Sequence, residues 1–272
     1  VYEEGLYEYN GDYYYVRSNG LLLTWGMYIT KTNGLMPEGE YKFGSDGKLQ
    51  MLNGPVADAY NPAYLNFYKN GVRVYEEGLY EYNGDYYYVR SNGLLLTWGM
   101  YITKTNGLMP EGEYKFGADG KLQMLNGPVA DAYNPAYLNF YKNGIRVYEE
   151  GLYEYNGDYY YVRSNGLLLT WGMYITKTNG LMPEGEYKFG ADGKLQMLNG
   201  PVADAYNPTY LNFYKNGVRV YEEGLYEYNG DYYYVRSNGL LLTWGMYITK
   251  TNGLMPEGEY KFGADGKMVT NN

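Results

Sequence analysis

Hydrophobic and polar positions alternate along this chain in short bursts. In residues 13–20, YYYVRSNG, an extended strand puts Tyr14 and Val16 on one face and Tyr13 and Tyr15 on the other. In residues 40–47, EYKFGSDG, Tyr41 and Phe43 oppose Glu40 and Lys42; in residues 64–71, YLNFYKNG, Leu65 and Phe67 oppose Tyr64 and Asn66. Each burst ends on Asn19-Gly20, Asp46-Gly47 or Asn70-Gly71, pairs that supply the positive φ angles of a tight primed turn. A second run follows and closes on another glycine: LLLTWG, KLQMLNG or VRVYEEG. The pattern predicts β-hairpins. Helix is disfavoured throughout, because 38 glycines and runs of aromatics leave no stripe at 3.6-residue spacing. Pro55 and Asn61-Pro62 mark an irregular connector in the third unit.

The bursts are themselves periodic. Gly20, Gly47, Gly71 and Gly93 are 27, 24 and 22 residues apart, so three hairpin units fill 73 residues. The copies run 1–73, 74–146 and 147–219, with a partial fourth at 220–272, and they are nearly letter-identical. Ser45 becomes Ala118, Ala191 and Ala264; Ala63 becomes Thr209; Val72 becomes Ile145. We read residues 1–272 as a single repeat array. A lone copy would expose both stacking faces, and identical neighbours supply the missing contact, as in other one-dimensional repeats. The expected fold class is all-β: a β-solenoid of stacked β-hairpins, three per 73-residue repeat.

Composition narrows the chemistry. Tyrosine is the bulk apolar residue, with 41 Tyr against 7 Phe. There is no Cys and no His, which removes disulfides, thiolate chemistry, Cys/His zinc sites and imidazole triads. The net charge of −9 is spread evenly, with no basic stripe for phosphates, so nucleic acid is a poor partner. No stretch is long and apolar enough for membrane insertion as a helix. The sequence opens mid-repeat on Val1-Tyr2-Glu3-Glu4 and shows no signal peptide, which reads as a fragment. Unpaired edges at its first and last units are an opening for end-to-end self-association.

The stretch GDYYYVRSNGLLLTWG, residues 11–26, resembles the bacterial cell-wall-binding repeats of choline-binding and glucan-binding proteins. Those have a Gly-x-Trp-Tyr-Tyr-Phe core, a turn glycine and a Thr-Gly-Trp close. Gly11, Tyr13, Tyr14, Tyr15, Gly20, Thr24 and Trp25 sit on that pattern; Gly39, Tyr41, Phe43 and Gly47 match it in part, and the third unit keeps Phe67 and Gly71. The resemblance implies a superhelix with about three hairpins per turn, so that one copy makes one turn. Tyrosine ladders would then run along the axis: Tyr14, Tyr87, Tyr160 and Tyr233 in one column, and Tyr41, Tyr114, Tyr187 and Tyr260 in a second. It also implies a secreted or cell-surface bacterial protein. Two departures bear on the family's choline cage, which is built of tryptophans. Tyr13 stands at the first Trp position, and Trp25 precedes its glycine. A tyrosine cage holds a quaternary cation more weakly.

The candidate ligand surface is aromatic, since a flat ring packs on the apolar face of a sugar. It comprises Tyr13, Tyr15, Trp25 and Tyr28, with their copies Tyr86, Tyr88, Trp98 and Tyr101; Tyr159, Tyr161, Trp171 and Tyr174; and Tyr232, Tyr234, Trp244 and Tyr247. The competing reading for each is core packing. Glu3-Glu4 with Glu8 or Asp12 could imitate a glycosidase carboxylate pair, but a charged strand edge accounts for them better. No catalytic residues, metal ligands or cofactor are expected. The function expected is a non-catalytic, rigid scaffold module with an aromatic surface for cell-wall polysaccharide or another glycan. The alternatives are a ligand-free spacer rod and a tyrosine-ladder conduit for charge transfer.

Overall fold

The computed structural model describes residues 3–269, and among them every regular element is a β-strand. The chain forms two compact units, Val1–Leu125 with Lys142–Arg146, and Asn126–Tyr141 with Val147–Asn272. The first copy shows the plan. Strands β1 (Gly5–Tyr9) and β2 (Asp12–Val16) pair antiparallel as a first hairpin, and β3 (Met27–Ile29) and β4 (Gly39–Tyr41) as a second. Strands β5 (Gly54–Ala57), β6 (Leu65–Lys69) and β7 (Val72–Arg73) form a three-stranded third. Three hairpins per 73 residues is the expected count, and the next copy opens with β8 (Gly78–Tyr82) and β9 (Asp85–Val89).

The turns differ from expectation in one respect. Asn70 and Gly71 have φ of 51° and 83°, both positive, as a two-residue primed turn between β6 and β7 requires. The first hairpin turns at Asn10-Gly11 (φ 52° and 83°), not at Asn19-Gly20. At Asn19-Gly20 only the glycine is left-handed. The Gly20 N–H donates to the Arg17 carbonyl and the Arg17 N–H to the Leu21 carbonyl, which returns the chain for a single Val16–Leu22 bridge. Asp46-Gly47 does the same for Phe43 and Leu49. Gly-Leu-Tyr-Glu-Tyr is therefore a strand in its own right, paired residue for residue with Asp-Tyr-Tyr-Tyr-Val.

Pairing that sequence buries both faces. Leu79 and Tyr88 enter a cluster with Leu96, Ile102, Tyr114, Phe116 and Leu122 of the hairpin that follows. Tyr87 and Val89 enter another with Phe67, from the hairpin before, and Leu95. The same division recurs in the second unit, with Tyr161 on one side and Tyr160 against Phe140 on the other. A strand covered on both faces has no polar alternation to display, which is why three tyrosines stand in a row. Tyrosine serves where phenylalanine would not because several of the buried rings have a hydroxyl that finds a partner at the rim. The Tyr41 hydroxyl donates to the Pro37 carbonyl at 2.6 Å, and the Tyr88 hydroxyl to Glu77 at 3.2 Å.

The aromatic columns are also built differently from a ladder of like residues. Phe67 lies between Tyr80 and Tyr87, with ring centroids 5.5 and 5.7 Å away, and Phe213 lies likewise between Tyr226 and Tyr233. The ring beside Tyr87 is that of Phe67 and not Tyr14, because hairpins one-third of a copy apart intervene. Tyr41, Tyr114 and Tyr187 are fully buried within their own clusters, whereas Tyr14 and Tyr260 are half-buried.

Candidate functional site

The proline-bearing connector of the third hairpin is ordered by one carboxylate. Asp58 Oδ1 accepts the Tyr60 and Asn61 N–H groups at 2.9 and 3.0 Å, and Oδ2 accepts the Asn66 amide at 3.0 Å. The hydrogen bond from Asn66, then those from the Asn61 and Tyr60 backbone, hold the Asp58 carboxyl below its usual range. The connector leaves Tyr60 at its tip, 93% exposed.

Where this hairpin meets the first hairpin of the next copy, a groove of ≈ 440 Å³ opens. Its floor is aromatic. Phe67 and Tyr68 come from β6, and Tyr80 and Tyr82 from β8, where period-two alternation puts both tyrosines on one face. Two local features shape it. Gly54 has φ +75°, and a Cβ there would lie 2.3 Å from the Tyr82 ring, so the absent side chain lets that ring lie flat on the backbone. Tyr80 is held at the other end, its hydroxyl donating to the Glu76 carbonyl at 3.0 Å; burial, then Glu76, raise that hydroxyl's pKa. The rim is polar. Asn53, Lys69, Asn70, Glu81 and Asn106 line it, with Glu81 anchored by the Gly84 N–H at 2.7 Å and the Asn106 amide by the Leu79 carbonyl at 2.8 Å. The second unit repeats the groove at ≈ 470 Å³, lined by Phe213, Tyr214, Tyr226 and Tyr228 with Asn199, Lys215, Glu227 and Asn252.

An aromatic floor with an amide-, ammonium- and carboxylate-bearing rim suits a sugar ring or a small cation, held by stacking and by hydrogen bonds at the edge. The carboxyls with displaced pKa values, Glu4, Asp58, Glu77, Glu150, Asp204 and Glu223, are all lowered, the opposite of what a general acid needs. Glu4 is held by Lys31 at 2.6 Å and Tyr15 at 3.1 Å, and Asp12 pairs with Lys48 at 2.7 Å. Among the described residues no group of three or more Asp or Glu is placed to hold a metal ion.

The aromatic positions expected from the sequence separate into three sets. Tyr15, Tyr88, Tyr161 and Tyr234 are at most 2% exposed and belong to the core, so they leave the candidate ligand surface. The paired strand Gly-Leu-Tyr-Glu-Tyr and the following hairpin cover the face they occupy. Tyr13, Tyr86, Tyr159 and Tyr232 are half-buried against the same clusters. Trp25, Trp98, Trp171 and Trp244 are 45–49% exposed, and Tyr28, Tyr101, Tyr174 and Tyr247 are open to solvent too. The groove residues Phe67, Tyr80 and Tyr82 were not among the expected set. Their signal was the alternation in Gly-Leu-Tyr-Glu-Tyr, which goes unseen once the hairpin is centred on Asn19-Gly20.

Solved structures share this architecture. The crystal structure of choline binding protein F from Streptococcus pneumoniae superposes with a TM-score of 0.50 at 17% identity, covering 98% of this chain and 93% of that one. The same protein in the presence of a peptidoglycan analogue, a tetrasaccharide-pentapeptide, gives a TM-score of 0.51 at 17% identity over 98% and 92% of the two chains. What is shared at that identity is the all-β hairpin fold, and the resemblance read from residues 11–26 extends to three dimensions. No protein-family model and no curated protein matches the chain.

Proposed function

We propose that this chain is a non-catalytic cell-wall-binding module of a bacterial surface or secreted protein, which uses the groove between third and first hairpins for glycan units of the wall. One observation carries the reading: an aromatic-floored groove of the same residues recurs at equivalent junctions in both units. It gains support from a fold shared with a choline-binding protein studied alongside a peptidoglycan analogue. Each groove is shallow, so affinity comes from repetition along one polymer. Tyrosine in place of tryptophan favours a stacked sugar over a caged quaternary ammonium. Rigidity belongs to the same reading, because a polymer reader gains avidity only if its sites keep a fixed spacing.

The test is pull-down of the full chain with purified bacterial cell walls, and titration with wall glycan fragments and with choline, followed by tyrosine absorbance. Saturation at more than one site per chain, abolished by Tyr80→Ala, Tyr153→Ala and Tyr226→Ala together, is expected. Flat titrations and no retention on walls would leave a spacer rod. One observation favours the rod: the most buried rings of the tyrosine triplets are core. A charge-transfer conduit gains no such support, since Tyr87 and Tyr160 each meet a phenylalanine ring.

A further inference from the structure

The arginines of this acidic chain fall into two classes. Arg73, Arg146 and Arg219 are ion-paired with Glu40, Glu113 and Glu186 at 3.2–3.3 Å. Arg17, Arg90, Arg163 and Arg236 have no ion pair and no side-chain hydrogen bond, although the chain has 31 acidic residues to 22 basic ones. In both classes the Nε atom is buried with no acceptor, so the ion pair at the guanidinium end is what separates them. The two Nη atoms are not buried in this way, so the end of each guanidinium is what reaches solvent.

The unpaired arginine is also held in place. In the third copy the Arg163 N–H donates to the Leu167 carbonyl at 2.9 Å, and the Gly166 N–H donates to the Arg163 carbonyl at 2.8 Å. The Tyr148 ring packs against that turn so closely that a Cβ on Gly166 would lie 2.6 Å from it. The guanidinium lies over the Trp171 indole, 4.6 Å from the ring centroid, and Arg236 lies over Trp244 at 4.5 Å. That indole face already carries a cation. Its remaining surface is open, Trp171 being nearly half exposed.

We propose that Arg163 and Arg236, each over the tryptophan of its own copy, and by identity of sequence Arg17 and Arg90 beside Trp25 and Trp98, form a repeated site for an oxyanion on a saccharide polymer, separate from the aromatic groove. The buried Nε excludes a side-on approach, so a carboxylate or phosphodiester is gripped end-on by the two Nη groups, with two parallel N–H···O bonds. The sugar bearing it lies against the exposed indole. A fixed, uncompensated fork on a platform is preorganised for such a group, whereas a lysine would offer only a point charge. Because the chain as a whole is negative, nothing steers anions from afar, and the contact is short-ranged and weak at each site.

The experiment uses the four tryptophans, one per copy, as reporters. The full chain is titrated with an oligogalacturonate, with an oligo(glycerol phosphate) and with a neutral dextran oligosaccharide, reading tryptophan emission. A saturable change with either anion and none with dextran supports the site, and which anion acts identifies the source of the charge. Arg→Gln at all four positions is expected to weaken the apparent affinity about tenfold with an unchanged far-ultraviolet spectrum. Arg→Lys should recover only part of it. If the fourfold variant fails to fold, the single variant Arg163→Gln is read by stoichiometry, with one site lost of four. No emission change with either anion, or wild-type affinity in the Gln variants, overturns the proposal. Tyrosine-absorbance titration with neutral glycan reports on the groove independently, so failure at one site is distinguishable from failure at the other.

Discussion

The Tyr82 ring lies across the backbone of Gly54, 28 residues earlier in the chain, at a place where a single methyl would be 2.3 Å from the ring. Tyr228 lies in the same way across Gly200 in the second unit. These glycines combine two demands, a positive φ and a missing side chain, and together they set the width of the groove floor. Tyr9, the equivalent ring in the first copy, is 68% exposed.

Gly200→Ala should therefore act on stability and binding together. The left-handed φ and the displaced ring cost about 2–3 kcal/mol. Denaturant midpoints should fall accordingly, and glycan titration should lose one groove. Gly230→Ala, at φ +82° with nothing within 4 Å of the added methyl, is the control: it should show the backbone strain alone and leave the groove intact.

Tyr88→Ala should destabilise by about 3–5 kcal/mol, as expected for a ring removed from a packed core. Tyr88→Phe should cost about 1–2 kcal/mol by leaving Glu77 without the hydroxyl that supports it beside Lys104. Thermal denaturation measures both. Neither change should alter glycan affinity once the folded fraction is taken into account, which is the practical difference between a core tyrosine and a binding one.

Alkali should unfold the protein cooperatively. Burial foremost, joined by nearby carboxylates, pushes Tyr68, Tyr75, Tyr88, Tyr161, Tyr214, Tyr221 and Tyr234 up to about 12 from an ordinary 10.0. A raised pKa means the folded state keeps a proton that the unfolded state releases. The stabilisation is complete below pH 10 and is lost as pH climbs through the interval to about 12. Tyrosinate absorbance should consequently rise together with loss of near-ultraviolet circular dichroism.

On the acid side the sign reverses. Glu77, Glu150 and Glu223 are lowered from 4.5, chiefly by hydrogen bonds from Lys104, Lys177 and Lys250. Stability from these pairs is present above pH 4.5 and declines as pH falls below it. Lys104→Met should lower stability at neutral pH and bring it level with the unaltered protein in acid, read as a smaller fall in denaturant midpoint between neutral and acid pH.

Asp204→Ala should loosen one connector and little else. Its carboxylate accepts from Tyr206, Asn207 and Asn212, and without it the buried Asn212 amide loses its acceptor. A cost of about 2–3 kcal/mol follows from one charged acceptor serving three donors. Limited proteolysis should then cut near Tyr206 first, while the hairpin strands stay protected.

Much of this was legible in the letters. The recurrence at Gly20, Gly93 and Gly166 and the period-two alternation led to hairpins, three to a copy. What misled was turn chemistry. Asn10-Gly11 and Asn19-Gly20 carry the same two residues, and a dipeptide does not reveal whether both or only the second will be left-handed; here the longer flanking strands decided, five residues on each side of Asn10-Gly11. Centring on the wrong pair hid Tyr80 and Tyr82 as a strand face. It also left Tyr15 looking solvent-facing, because a strand covered on both sides lacks the polar alternation by which a buried face is normally recognised. The exposure of Trp25 was equally hidden: after three leucines it reads as core, yet the bridge at Leu22 and the burial of Leu23 end the packed segment just before it.

Identical junctions have a genetic meaning as well. Phe67, Tyr80, Gly54 and Tyr82 meet as Phe213, Tyr226, Gly200 and Tyr228 do, so a copy gained or lost whole, by unequal crossing-over between near-identical repeats, creates no interface that selection has not already tested. The number of copies becomes a quantity a population can vary freely. The sequence of each unit, locked on both faces, is what it cannot.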